Sequence, residues 1–128
     1  MTQRIEIPLT PRTKKNHSRI IYNKYTGRPQ IIQSKDYLQY EKDCAPFLKN
    51  VEPFLDPCIV KCLFYMPTHR RVDLSNLLAA ISDILVKYGI LIDDNSEIIK
   101  GYDGSRVLYD KNNGHTIIEI SEWKEDEE

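Results

Sequence analysis

Four aspartates stand around one predicted helix of the chain: before it, within it and after it. Asp73 precedes the apolar stretch, Asp83 lies inside it, and the pair Asp93-Asp94 follows it. Carboxylate oxygens bind hard divalent cations such as Mg²⁺, and these ions activate water and neutralise developing charge when a phosphodiester is cleaved. The residue types therefore suit a metal-dependent reaction on a phosphate-rich substrate.

Each acid also has a purely structural interpretation. Asp73 can cap the helix that follows it, and Asp93-Asp94 can form a turn before a strand. Asp83 lies seven residues after Asn76, so the two share one helix face, which can be a solvated polar stripe. Spacing alone does not decide between these structural roles and a metal site.

The length of chain between the acids limits which of them can lie close together. A helix of about 15 residues rises roughly 22 Å, whereas the link from Gly89 to Asp94 can span at most about 17 Å. Asp94 can therefore reach Asp83 easily. It reaches Asp73 of the same chain only if the link folds tightly back, so a site completed across a dimer interface is an open alternative.

Charge is unevenly distributed although the net charge is only −1. Residues 1–35 carry eight basic side chains and one acid, Glu6, and a second basic stretch includes Arg70 and Arg71. The last seven residues, EWKEDEE, are mostly acidic. This asymmetry predicts a basic surface for a polyanion and an acidic tail, with a pair of solvated chain ends as the alternative.

The elements that must position these residues follow from hydrophobic periodicity. We expect strands at residues 4–9, 19–23, 29–33, 58–66 and 115–121, with one bent strand or two over 97–109. Helices are predicted over 35–49, capped by Ser34, and over Leu74–Tyr88, ended by Gly89. The order predicts an α+β fold, a mixed β-sheet with two main helices on one face, in one domain (1–121) with an acidic tail (122–128). Strand 58–66 reads as central and covered on both faces.

Composition excludes several classes of protein. The chain has 128 residues and no apolar run long enough for a membrane span, and its start lacks the apolar run of a signal peptide. Three cysteines predict reduced thiols and a cytoplasmic protein, and the scattered histidines argue against zinc.

The run DLSNL…DIL…GILIDDNSEI resembles the RusA-type Holliday junction resolvases of phages and prophages. The family pattern is an Asp, one residue, an Asp or Ser/Thr, then Asn-Leu, a further Asp, and an Asp-Asp pair before a strand. Residues 14–41 and 102–120 are similar to the family's N-terminal segment and terminal hairpin. The likeness therefore extends over nearly the whole chain.

The resemblance implies a RusA-like homodimeric endodeoxyribonuclease that nicks four-way DNA junctions in pairs during recombination and repair. It implies Mg²⁺, with Mn²⁺ as a substitute, no organic cofactor, and a bacterial cytoplasm. The acids it identifies as metal ligands are Asp73, Asp94, Asp93 and Asp83, and the catalytic set is Asp73, Asp94, Asp83 and Ser75. The basic residues expected to bind DNA phosphates are Arg12, Lys14, Lys15, Arg19, Arg70 and Arg71.

Two positions depart from the better-known members of the family. Ser75 stands where they have a second Asp, and Ala79 stands where they have Lys or Glu. Either Asp83 and Asp93 supply the missing charge or the chain cleaves slowly. A non-catalytic junction- or DNA-binding protein of the same fold is therefore the alternative. A small-molecule enzyme has no support from a Gly-rich phosphate loop or a nucleophile motif.

Overall fold

The computed structural model describes residues 2–14, 19–22, 24–32 and 34–125, without the side chains of 19–22 and 30–32. The predicted phosphate contact Lys15 and the last residues of the acidic tail lie outside the described residues, as does the side chain of Arg19. Within the described ranges, no helix has the length and apolar character needed to cross a membrane.

Seven strands and two helices make up the described part of the chain. In chain order they are β1 (Thr2–Ile7), β2 (Arg19–Tyr22), β3 (Pro29–Ile32), α1 (Lys35–Leu48), β4 (Cys58–Met66), α2 (Leu74–Lys87), β5 (Ile99–Gly101), β6 (Arg106–Tyr109) and β7 (His115–Glu122). Both helices and β4 lie within one residue of the predicted bounds.

β4 is the central strand of a five-stranded sheet. It runs antiparallel to β7, which in turn runs antiparallel to β1, and it runs parallel to β5 and β6 on its other edge. The sheet is therefore mixed, and the α+β prediction is confirmed.

The segment predicted as one bent strand or two forms two strands along the same edge of β4. β5 pairs with Cys58 and Ile59, whereas β6 begins opposite Leu63. Between them, the Ser105 hydroxyl accepts from the Cys62 N–H at 2.9 Å and donates to the Val60 carbonyl at 3.4 Å. The serine side chain thus completes the β4 hydrogen bonds where the strand partner is interrupted.

The predicted hairpin is confirmed, but it does not join the main sheet. β2 and β3 pair antiparallel over four residues each and form a separate two-stranded sheet, with Gly27 at a positive φ of 67° in the connection. The hairpin can pair locally because its turn is short. The predicted mixed sheet therefore consists of the other five strands.

The two helices cover one face of the main sheet, as predicted. Alternate residues of β4 are buried, and they share one apolar cluster with the buried faces of α1 and α2. The opposite face of β4 is half-exposed and carries Lys61, whose ammonium is 4.0 Å from the carboxylate of Glu119 on β7. The prediction that β4 is covered on both faces is therefore wrong. Apolar residues such as Ile59 and Leu63 also lie on the second face, so the sequence of β4 does not alternate clearly between apolar and polar residues.

Both helices begin and end at the residues that the sequence suggests. The Ser34 hydroxyl accepts from the Tyr37 N–H at 3.1 Å and caps α1. Asp73 caps α2 in the same manner, and Gly89, at a φ of 76°, follows its C-terminus. α2 buries Leu77, Ile81, Ile84 and Leu85 on the sheet. That burial fixes how the helix is rotated about its axis.

A loop over residues 8–14 follows β1 and packs against the end of the sheet. Pro11 and Thr13 are buried in it. Gly114, just before β7, lies so close to this loop that a Cβ atom on it would be 2.8 Å from the backbone of Thr10. Glycine at position 114 is therefore a packing requirement for the loop.

We expect Gly114→Ala to destabilise the fold by about 1–3 kcal/mol, because the added methyl collides with backbone and cannot be relieved by a rotamer change. Urea unfolding followed by circular dichroism measures the change. Thr10→Ala in the same chain should restore only part of the loss, since it removes the hydroxyl but leaves the backbone of Thr10 in the path of the methyl group. An unchanged midpoint in Gly114→Ala would contradict the close approach.

Candidate functional site

Asp73 is an N-cap residue with an exposed side chain. Its carboxylate accepts from the backbone N–H of Ser75 at 3.1 Å and from the Ser75 hydroxyl at 2.8 Å. The capping interpretation is therefore confirmed for Asp73, and the Ser75 hydroxyl is oriented by the same carboxylate. This capping does not by itself test a metal-binding role.

Asp83 lies on the half-exposed edge of α2, ten residues after Asp73. Its carboxylate forms an ion pair with the ammonium of Lys14, which comes from the loop after β1. The same ammonium lies 5.6 Å from the ring centroid of Tyr37 on α1. Asp83 is thus the point where α1, α2 and the basic loop meet.

Asp93 and Asp94 lie in the loop between α2 and β5 and differ in environment. Asp93 accepts from the Asp94 N–H at 2.7 Å and from the Asn95 side-chain amide at 3.1 Å, and these hydrogen bonds lower its pKa. Asp94 is exposed, but a partial loss of hydration raises its pKa, and the negative charges of Asp83 and then Asp93 raise it further. Asp94 therefore lies within electrostatic reach of Asp83, as the reach of the link predicts.

The four acids do not form one compact group within the described chain. A rise of 1.5 Å per residue separates Asp73 from Asp83 by about 15 Å along α2. No set of three or more His, Cys, Asp or Glu side chains in the described ranges is arranged to hold a metal ion. Asp83 and Asp94 are within electrostatic reach of each other, since the charge of Asp83 raises the pKa of Asp94, and we call them the acidic pair.

Sequence reasoning missed three hydroxyl groups around the acidic pair. Ser82 and Tyr102 hydrogen-bond to each other at 2.8 Å. The pKa of Tyr102 is raised by burial, while the Ser82 hydrogen bond opposes this and the charges of Asp94 and Asp83 add to it. Tyr102 therefore lies beside the pair. The only sequence signal is that Ser82, a polar residue on the buried face of α2, directly precedes Asp83.

The third hydroxyl belongs to Tyr37, which is 1% exposed. It has no hydrogen-bond partner among the described residues. Burial raises its pKa, and the charges of Glu41 and then Asp83 raise it further. Buried polar groups are almost always satisfied, so this hydroxyl has an unused capacity to hydrogen-bond to a water or ligand.

These groups fit a magnesium ion. Mg²⁺ keeps several waters and is commonly bound by one or two protein carboxylates together with substrate phosphates, so a pair of acids is sufficient. Asp83 and Asp94 supply two carboxylates whose mutual repulsion a cation would relieve. The Tyr37 hydroxyl supplies an unused hydrogen-bonding group beside Asp83.

The predicted DNA-binding side chains that the structure describes lie in two places. Arg12, Arg70 and Arg71 line one cleft of about 310 Å³, which we call the arginine cleft. Its remaining polar lining is Thr10, Thr13 and Thr68, from the loop after β1 and the loop after β4. Guanidinium groups bind phosphate oxygens bidentately, so this cleft suits an anion. Lys14 lies apart from these arginines, at Asp83.

A larger cleft, of about 550 Å³, lies between the end of α1 and the C-terminus of α2. Its lining is mainly apolar, with Lys42 and Lys49, and it includes none of the four acids. It therefore offers no chemistry for phosphodiester cleavage.

No protein-family model matches the chain, and a search of curated proteins likewise gives no match. The likeness to the RusA-type resolvases thus depends on the motif residues alone.

We expect Arg70→Ala combined with Arg71→Ala to weaken binding to duplex or junction DNA and to flatten the slope of log affinity against log salt by up to about two units. The reason is that each lost phosphate contact removes about 0.9 of a released counterion. Fluorescence anisotropy at several salt concentrations measures the slope. Arg4→Ala, an exposed arginine on β1 away from the cleft, is the matched control. An unchanged slope in the double variant would mean that the cleft faces away from the DNA.

Proposed function

We propose that this protein is a RusA-like, Mg²⁺-dependent endonuclease that acts as a homodimer on four-way DNA junctions. The observation that carries the proposal is that a single loop, residues 10–14, both lines the arginine cleft and brings Lys14 to the acidic pair. Phosphate-binding and metal-binding groups are thereby joined by one short segment.

The dimensions support a nucleic acid strand as the substrate. Val72 lines the arginine cleft and precedes Asp73 at the start of α2, and Asp83 lies about 15 Å further along the helix. Phosphates of one strand in B-form DNA are spaced by about 3.4 Å along the axis. A duplex whose axis runs along α2 would thus place the acidic pair about four nucleotide steps from the cleft.

In this proposal, different residues bind the DNA phosphates and the metal ion. Arg12, Arg70 and Arg71 hold phosphates and fix the register of the strand. Asp83 and Asp94 would hold the ion. Bound Mg²⁺ would supply charge neutralisation and an activated water for hydrolysis of the phosphodiester. The Tyr37 hydroxyl, which has no partner among the described residues, and the Tyr102 hydroxyl, which is paired with Ser82, would be the hydrogen-bonding groups near the ion.

The decisive experiment incubates a labelled four-way junction with the protein, with and without Mg²⁺. We expect paired nicks only with Mg²⁺. Asp83→Asn and Asp94→Asn should each lower the cleavage rate by about 100-fold or more while junction binding is retained, because they remove charge at the ion and almost no volume. Asp56→Asn, an exposed acid in the loop before β4, is the matched control.

Binding without cleavage in the parent protein would favour the second candidate, a non-catalytic junction-binding protein. Ser75 and Ala79 are the observations behind that candidate, since neither provides a charge where the family has one. Cleavage that persists in Asp94→Asn would contradict the proposed site itself.

The role of Asp73 can be tested separately, because asparagine caps helices as well as aspartate does. Asp73→Asn should leave the unfolding midpoint unchanged. If Asp73 of one subunit completes the acidic pair of the other, the variant loses cleavage. Mixed dimers of Asp73→Asn with Asp83→Asn then regain one intact site and nick one strand. If Asp73 only caps α2, Asp73→Asn cleaves normally. Loss of cleavage without recovery in mixed dimers would contradict a site shared across the dimer.

A further inference from the structure

Lys14 occupies a different position from the other basic residues of its segment. Its ammonium pairs with the Asp83 carboxylate, and the Lys14 side chain is 33% exposed. The ammonium also lies 5.6 Å from the ring centroid of Tyr37, a distance that allows a cation–π attraction. Lys14 is therefore held at the acidic pair, away from the arginine cleft.

The ammonium of Lys14 lies in a region that contains several carboxylates. Asp83 and Asp94 repel each other, and the charge of Asp83 contributes to the raised pKa of Asp94. Glu41, one turn after Tyr37 on α1, adds a further carboxylate nearby and is itself paired with Lys87. The ammonium from the loop neutralises the charge of Asp83.

The buried hydroxyl of Tyr37 is a second polar group near this ammonium. The hydroxyl lacks a hydrogen-bond partner in the described part of the chain and lies within electrostatic reach of Asp83. An ammonium over the ring face does not satisfy it. A hydrated cation on Asp83 brings bound waters that can.

We propose that Lys14 is an exchangeable counter-ion: its ammonium holds Asp83 while the divalent cation is absent, and the cation displaces it on binding. The released ammonium then takes a phosphate oxygen of the DNA strand that enters the site. This inference rests on the proposed function for the identity of the cation and the substrate.

The physical basis is that both cations compete for one carboxylate. A partly exposed ion pair with Asp83 is weak, so a doubly charged ion can displace it at millimolar concentration. Lysine suits the exchange because its compact charge sits on a flexible four-carbon stem with three rotatable donors. Thr13, which precedes Lys14 in the loop, is buried, so we expect the Lys14 side chain to move rather than the backbone before it.

The first test measures Mn²⁺ binding to the DNA-free protein by the electron paramagnetic resonance signal of free Mn²⁺. Lys14→Met should bind Mn²⁺ about two- to fivefold more tightly than the parent, the factor to which a partly exposed ion pair converts. Lys14→Arg keeps the competing charge and should stay near the parent value. Asp83→Asn should lose the binding.

The matched control is Lys61→Met. Lys61 is similarly exposed and is also paired with an acid, Glu119, but on the open face of the sheet. It should leave Mn²⁺ affinity unchanged. Weaker or equal Mn²⁺ binding in Lys14→Met, or no binding in either protein, would overturn the exchange.

The second test follows the released ammonium. With Ca²⁺ present, Lys14→Met should flatten the salt slope of DNA binding by about one unit, whereas without a divalent cation it should leave the slope unchanged. A slope change of equal size in both conditions would mean that Lys14 contacts phosphate whether or not a cation is bound, and the exchange would be overturned.

The outcomes separate this inference from the proposed function. If a cation displaces Lys14 but junctions are not cleaved, the proposed nuclease activity is refuted and the exchange is supported. If junctions are cleaved but Lys14→Met gains no Mn²⁺ affinity, the proposed nuclease activity is supported and the exchange is refuted.

Discussion

The burial of one face of α2 against the sheet is the constraint on which the candidate site depends. Leu77, Ile81, Ile84 and Leu85 are almost completely buried, which fixes the rotation of the helix about its axis. Asp83 shares the helix with these residues and is consequently forced to its edge, half-exposed, facing α1 and the loop after β1. Ser82 is carried to the buried side, where it meets Tyr102. The apolar residues of α2 thus determine where its polar residues lie, and with them where the candidate site lies.

A second constraint holds the basic loop against that edge. The loop lies over Gly114 at a separation that leaves no room for a side chain, and its buried Thr13 precedes Lys14. The backbone therefore cannot slide along the end of the sheet. Because the same loop lines the arginine cleft and carries Lys14 to Asp83, it connects the cleft with the acidic pair. Rigid placement of this type is what a site needs in order to select one register on an extended substrate.

The sequence indicates most of the elements because their signals are local. The apolar run of β4 and the three- and four-residue spacing in α2 determine their bounds to within one residue, and Ser34, Asp73 and Gly89 mark helix ends through capping chemistry. The separation of the β2–β3 hairpin from the main sheet was not predictable in this way, since it depends on pairing between strands that are distant in the sequence. Apolar residues on the open face of β4 likewise concealed that this face is uncovered.

The site was predictable only in part, for the same reason. The link between α2 and β5 is short enough that Asp94 must lie near Asp83, and simple chain geometry captures this. The contact between Lys14 and Asp83 joins residues that are 69 positions apart, and no local pattern encodes it. Tyr37 and Tyr102 have sequence contexts typical of core aromatics, so their proximity to the acids emerges only when the helices pack.

The interruption between β5 and β6 has a consequence for how the site can change. Because the Ser105 hydroxyl stands in for a strand backbone at Val60 and Cys62, the residues just before it are released from the sheet. Tyr102 lies in that segment, where it packs against the apolar core and is hydrogen-bonded to Ser82 next to Asp83. Its backbone is thus outside the strand pairing although its side chain is anchored. Substitutions in this segment can change the surroundings of the acids while the hydrogen-bond ladder of the central strand stays complete.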